Sequence, residues 1–233
     1  MLFNICAIVA CALIACIFIY LRITDGGVAA IVSKTLASFV FVIAGLFAFV
    51  RSGLEFETLV FIPIGLICGM IGDILLELKV VYPIDKKPYF YAGTTSFALG
   101  HIFYVIALCV IASSMFDIFT PVMLSISIGL TVATLIMLFA DGMEIKFGEY
   151  FWISYLYAFI LATMVSLAVF FSFYNIMFVY FAVGMALFFI SDLILSLQYF
   201  GPASKEHSPA LVIFNHVFYY AAQIMVVAFL IFA

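Results

Sequence analysis

Charge is what this chain has least of. Asp, Glu, Lys and Arg together make up 9% of its 233 residues, while 69% of the residues are hydrophobic. A soluble domain is about a quarter charged and about half apolar, so a water-soluble globular fold is excluded. Basic residues are scarcest: eight Lys and Arg stand against twelve Asp and Glu, for a net charge of −4. That leaves no basic surface for a phosphate backbone, and nucleic acid is excluded as a partner. The five cysteines, Cys6, Cys11, Cys16, Cys68 and Cys109, all lie in apolar runs without CxxC spacing. They read as small buried hydrophobes, not as a disulfide framework or a zinc set. No glycine-rich phosphate cradle occurs. Ser96, Ser191 and Ser196 lack the GxSxG elbow of a serine nucleophile. The N-terminus has no basic n-region and its apolar run continues almost to Arg22, which predicts an anchored helix and not a cleaved signal peptide.

What is present is a series of long apolar runs. A helix needs about 20 residues to cross a bilayer. Runs of that length lie at 2–21, 31–50, 57–78, 93–114, 119–140, 150–172, 175–198 and 209–231, separated most strongly at 22–27, 51–57, 79–88, 141–149 and 201–209. The breaks near Asp117 and at Tyr174–Asn175 are weaker. The expected fold is therefore an all-α membrane protein of about eight transmembrane helices, in a single integral membrane domain spanning 1–233. Arg22, Lys79, Lys86, Lys87, Lys146 and Lys205 fall in the loops joining odd to even helices, whereas the opposite side offers only Arg51. The positive-inside rule then places those odd-to-even loops in the cytoplasm and both termini outside.

Two carboxylates interrupt the apolar runs at matching places. Asp73 lies in GMIGDILL (69–76) and Asp192 in FFISDLIL (188–195). Each is followed by a His-x-x-Tyr phrase, His101 to Tyr104 and His216 to Tyr219, at 28 and 24 residues from its aspartate. Four spans return the chain to the same side, so the halves 1–115 and 116–233 read as a possible parallel duplication. An axis relating them brings both Asp/His/Tyr sets to one central cavity. Gly65, Gly69, Asp73 and Glu77 form one stripe at four-residue spacing; the glycines taken alone are a packing motif. An ionised aspartate at a helix centre costs roughly 2.5–3.5 kcal/mol even on the lenient insertion scale, which is why such residues mark functional cavities. Gln223 follows His216 by seven residues, on the same face. Lys34, a turn into the second span, has two readings: its chain snorkels to the headgroups, or it faces inward to bind a phosphate or hold an aspartate ionised. Trp152, Tyr155 and Tyr157 fit an interfacial aromatic belt.

Gly72-Asp73, the His101…Tyr104 segment, Ser191-Asp192-Leu193-Ile194-Leu195 and the terminal Tyr219-Tyr220-Ala221-Ala222-Gln223 together resemble the YhhN/TMEM86 family of lysoplasmalogenase-like integral membrane proteins. The likeness extends over nearly the whole chain and to the eight-helix plan. One departure is visible: the family tends to show Lys-Pro in its second helix, and here Lys34 is followed by Thr35. The resemblance implies hydrolysis of the vinyl ether bond of a lysoplasmalogen, a lysophospholipid drawn from the bilayer. The products are a fatty aldehyde and a glycerophospho-base. It implies no cofactor. With it goes an expected location in a bacterial inner membrane, with the polar site toward the cytoplasm.

The residue types suit that reaction independently. A vinyl ether is cleaved by protonating its double bond to give an oxocarbenium ion that water captures, which needs an acid and a nearby anion. Two buried carboxylates supply both, as in glycoside hydrolysis. Asp73 and Asp192 are the expected catalytic pair. Lys34, Glu77, His101, Tyr104, Ser191, His216, Tyr219 and Gln223 are the expected orienting or substrate-binding groups. Two alternatives stand beside the hydrolase. One is a lipid or small-molecule carrier coupled to protons, since intramembrane acids and histidines in a repeat also mark transporters. The other is a zinc hydrolase using His101, His216, Asp73 and Asp192, for which no HExxH or comparable local spacing exists; no metal is expected.

Overall fold

In hydrocarbon every backbone polar group must be paired within the chain, so an apolar run of this length folds as a helix. The computed structural model describes residues 2–24, 26–52, 60–202, 205 and 208–232, and contains eight long helices. They are α1 (Leu2–Thr24), α2 (Gly27–Arg51), α3 (Phe61–Val81), α4 (Lys86–Ser113), α5 (Phe119–Phe139), α6 (Phe151–Tyr174), α7 (Phe178–Phe200) and α8 (Pro209–Phe232). Each is long and apolar enough to cross a membrane, and no strand occurs among the described residues. The eight expected spans are all present. The fourth begins several residues before the expected 93, because the amphipathic Lys86–Tyr91 stretch is already helical. Residues 57–59 of the expected third span lie outside the described residues, as do Asp25, most of the 51–57 break and part of 201–209.

Six of the helices close a ring, in the order α2, α3, α4, α6, α7, α8 and back to α2. The two others lie outside it: α1 packs on α2 and α8, and α5 packs on α6. Helix pairing in the first half (α1 on α2, α2 on α3, α3 on α4) recurs in the second (α5 on α6, α6 on α7, α7 on α8), with α2–α8 and α4–α6 as the seams. Large apolar side chains such as Leu13, Ile17, Leu130 and Leu138 are exposed on the outer helices, where lipid replaces water. Lys34-Thr35 sits in unbroken helix, the Thr35 hydroxyl donating back to the Ile31 carbonyl at 2.8 Å.

Lipid is as apolar as the helix faces, so close packing holds the ring together, and small residues permit it. At Gly100 of α4 a Cβ would stand 3.0 Å from the Gly65 carbonyl oxygen and 3.3 Å from Cys68 Cβ of α3. Gly184 of α7 meets Met225 and Ala222 of α8 in the same way. The Tyr104 ring fills the space over Gly65, and the Phe97 ring the space over Gly72. The predicted consequence is that Gly100→Val forces α3 and α4 apart and destabilises the fold by about 1–3 kcal/mol. A thermal melt in detergent reads this; an unchanged midpoint means the two helices separate at no cost.

Candidate active site

The ring encloses a cavity of about 110 Å³ at the end of the bundle where odd helices pass to even ones. That is room for several waters at about 10–15 Å³ each. Asp73 and Asp192 both line it, with Lys34, Glu77, Ser191, His216 and Tyr219. The two apolar-run carboxylates thus meet in one chamber. Tyr104, His101 and Gln223 are buried but do not line it.

The two carboxylates are held very differently. Asp73 on α3 is buried, and its Oδ2 accepts from Ser38 Oγ of α2 at 2.6 Å and from Tyr219 OH of α8 at 2.5 Å. Its Oδ1 lies 3.6 Å from Lys34 Nζ. One turn further along α3, Glu77 takes the same ammonium at 3.4 Å and Arg22 Nε of α1 at 2.9 Å. Two acids and two bases therefore neutralise each other at the cavity wall. Lys34 is only 7% exposed, so the headgroup-snorkelling reading of this residue is overturned. Its ammonium is drawn inward by the two carboxylates and also lies 5.4 Å from the Phe18 ring.

Asp192 on α7 is half-buried and has no cation in reach among the described residues. Its Oδ2 accepts from the Tyr157 hydroxyl of α6. That hydroxyl lies 3.3 Å from His101 Nε2. A phenol has one proton to give, so while it donates to the carboxylate the imidazole must supply Nε2–H. His101 Nδ1 is then a lone pair without a partner, and the ring edge packs 4.8 Å from Phe188. Tyr157 consequently lines the cavity beside Asp192 and does not stand in an interfacial belt, whereas Trp152 is exposed.

The grouping of each aspartate with the histidine that follows it is also not what the fold makes. Asp73 is served by Tyr219 from the other half, and Asp192 is linked through Tyr157 to His101 from the other half. His216 Nδ1 donates to the Val212 carbonyl at 2.8 Å, leaving Nε2 as its acceptor. Ser191 and Asn215 are mutually satisfied: Asn215 Nδ2 donates to Ser191 O at 2.8 Å and to its Oγ at 2.9 Å, and Ser191 Oγ donates to Asn215 O at 3.0 Å. That pair pins α7 to α8 beside Asp192. Tyr104 packs edge-on against Phe181 with centroids 5.3 Å apart, away from both carboxylates.

Sequence reasoning missed Ser38, Tyr157, Asn215 and Arg22 as site residues. A signal for two of them existed. Ser38 precedes Asp73, and Tyr157 precedes Asp192, by the same 35 residues. Each aspartate receives a hydroxyl from the preceding helix of its own half. Among the described residues no group of three His, Cys, Asp or Glu side chains comes together as a metal set.

An eight-helix membrane bundle with two carboxylates facing one shared chamber is, as a class, an integral membrane protein with a polar intramembrane site. The family it falls in is shown directly: the model of the YhhN family matches residues 29–230, and the chain belongs to that family. No curated protein and no solved structure matches it.

Lys34 stands between Asp73 and Glu77, so Lys34→Met leaves buried carboxylates short of one positive charge. Removing one partner of a buried ion pair costs about 3–5 kcal/mol. The double variant Lys34→Met/Asp73→Asn should recover part of that loss. Denaturation in detergent of the four proteins of this cycle checks the coupling; strictly additive effects mean the ammonium does not act on Asp73.

Proposed function

We propose that this YhhN-family protein hydrolyses the vinyl ether bond of a lysoplasmalogen, with Asp192 as general acid and Asp73 as the standing anion. The observation that carries the reading is the unequal setting of the two carboxylates in one cavity. Asp73 has two hydroxyl donors and an ammonium beside it, the setting this reading assigns to the standing anion. Asp192 has one hydroxyl donor and, among the described residues, no ion-pair partner.

In this reading Asp192 gives its proton to the vinyl carbon that does not bear oxygen. The double-bond electrons form the new C–H bond, and the ether-bearing carbon becomes an oxocarbenium ion. Asp73 steadies that cation. A cavity water adds to the cationic carbon and its proton returns to Asp192, giving a hemiacetal. The hemiacetal then breaks its bond to the glycerol oxygen, which takes up the hemiacetal proton, releasing the aldehyde. Tyr157, Ser38 and Tyr219 touch the carboxylates and fix their orientation, and His101 acts behind Tyr157. The same reading places the loop end with the six basic residues, and the polar end of the cavity, on the cytoplasmic side of a bacterial inner membrane. The carrier alternative draws no support from helix shape. Paired broken helices mark such sites, and among the described residues all eight helices run unbroken.

Asp73→Asn and Asp192→Asn should each lower aldehyde release from a lysoplasmalogen at least about 10²-fold, within the range a positioned acid or base contributes. Both should remain folded, since an amide keeps the shape. His101→Ala should cost less, because that ring acts only through Tyr157. Full activity in either Asn variant removes that carboxylate from the mechanism. A wild-type protein that never cleaves a vinyl ether ends the hydrolase reading.

A further inference from the structure

The cavity is walled by buried residues on the side of four helices. Every lining residue contributed by α2, α3, α4 and α8 is buried, including Lys34, Asp73, Phe97 and Tyr219. The loop end is stoppered by aromatic rings from both halves: Phe90 lies 4.7 Å from Tyr150 and 5.5 Å from Phe200, and Phe147 lies 4.9 Å from Phe200. That stopper is tied down by Lys146 N donating to the Phe200 carbonyl at 2.8 Å and by a 2.6 Å ion pair between Lys87 and Glu149.

The partly exposed lining residues come mainly from α5, α6 and α7: Ile136 and Met137, then Ala158, then Phe189 and Leu193. Leu193 is 40% exposed although it lines the cavity. The helix packing explains the gap. α5 leans on α6 without packing along α7. The equivalent place in the first half, between α1 and α3, is shut by the Arg22–Glu77 ion pair, and the inward-facing Phe18 of α1 is fully buried. One flank is sealed by a charge pair and the other is left open with hydrocarbon around it.

The lining is also graded along α7. Phe189 and Leu193 are apolar and Asp192 stands among them, while Ser196 and Gln198 add polar groups beside Leu195, Tyr199 and Phe200 toward the loop end. At 1.5 Å per residue, Asp192 lies about 12 Å below the loop-side end of α7, and Phe189 about 4–5 Å deeper. An amphiphile with its head toward the loops places its chain at the apolar level and its first chain carbons beside Asp192.

We propose that the flank between α5 and α7 is a lateral gateway that admits and holds the aliphatic chain of a single-chain lipid taken directly from the bilayer. This rests on the hydrolase reading for its substrate class, but the gateway is a statement about where a chain binds and is tested separately. Chain and gateway match in chemistry, since hydrocarbon side chains line the opening and the membrane core lies outside it. The loop-side route through water is the one the aromatic stopper closes.

Two measurements test it. In the first, Leu193→Trp and Met137→Trp narrow the opening, and kcat/KM is compared for a long-chain lysoplasmalogen and a short-chain, water-soluble glyceryl vinyl ether. The long-to-short ratio should fall about tenfold or more in both variants, the scale at which a few methylenes are discriminated in an apolar pocket. It should not change in Val32→Trp, which adds the same bulk at an exposed position on α2. An unchanged ratio in both gateway variants overturns the proposal. In the second, a lysophospholipid carrying a diazirine at mid-chain is photolysed with wild-type protein in vesicles and the labelled peptides are mapped. Label on α5 and α7 supports the gateway whether or not the protein turns over a vinyl ether. Label confined to α1 and α3, or no label competed by unmodified lysophospholipid, overturns it. A protein that labels at α5 and α7 yet cleaves neither ether keeps the gateway and loses the hydrolase.

Discussion

Neutralising charge inside a medium that cannot solvate it is the constraint on which this structure depends. Arg22, Lys34, Asp73 and Glu77 come from three helices and form a chain of acid–base contacts, Arg22 to Glu77 at 2.9 Å, Glu77 to Lys34 at 3.4 Å and Lys34 to Asp73 at 3.6 Å. In an interior of low dielectric an unpaired member of this cluster is far costlier than a surface charge. The cluster therefore fixes the rotation of α1, α2 and α3 about their axes, which apolar packing alone leaves loose. Once those three are set, Ser38 and Tyr219 fall into place on Asp73.

The charge inventory then makes the second carboxylate different from the first. Both nearby cations are spent on Asp73 and Glu77, so Asp192 is left with a phenol and, behind it, an imidazole. Two aspartates at like depth in similarly packed halves thereby end in unlike surroundings. Such divergence is what acid and base roles in one site require. The same cluster also breaks the likeness of the two flanks, because the Arg22–Glu77 ion pair links α1 to α3 while among the described residues no ion pair links α5 to α7. One set of ion pairs thus decides which carboxylate lies beside a cation and which flank of the bundle carries a charge pair.

A buried polar group that lacks a partner marks the parts of such a site where strain or function resides. His101 Nδ1 and Gln223 Oε1 are of this kind. Both lie just behind the cavity wall, His101 against Phe188 and Gln223 beside Gly69. They form a layer that supports the residues in contact with the chamber without reaching it themselves.

Length, scarcity of charge and the spacing of apolar runs were enough to determine an all-helical membrane bundle and the number of its spans, because the bilayer imposes one helix length and one hydrogen-bonding solution. Asp73, Asp192, Glu77, Lys34, His216 and Tyr219 were legible for a related reason: a polar side chain in such a run is too costly to be incidental. Which of them meet was not legible. In a soluble helix the polar stripe marks the outside, but here both faces are apolar and the periodicity carries little information about rotation. So the exchange of partners between halves, the place of Tyr157 at Asp192 and not in the aromatic belt, and the inward turn of Lys34 were decided by tertiary packing. Tyr104 and Gln223, alike in sequence context to residues that do line the chamber, were turned away from it by the same packing. A residue's depth is written in its position along the chain; the face it presents is set only when neighbouring helices close around it.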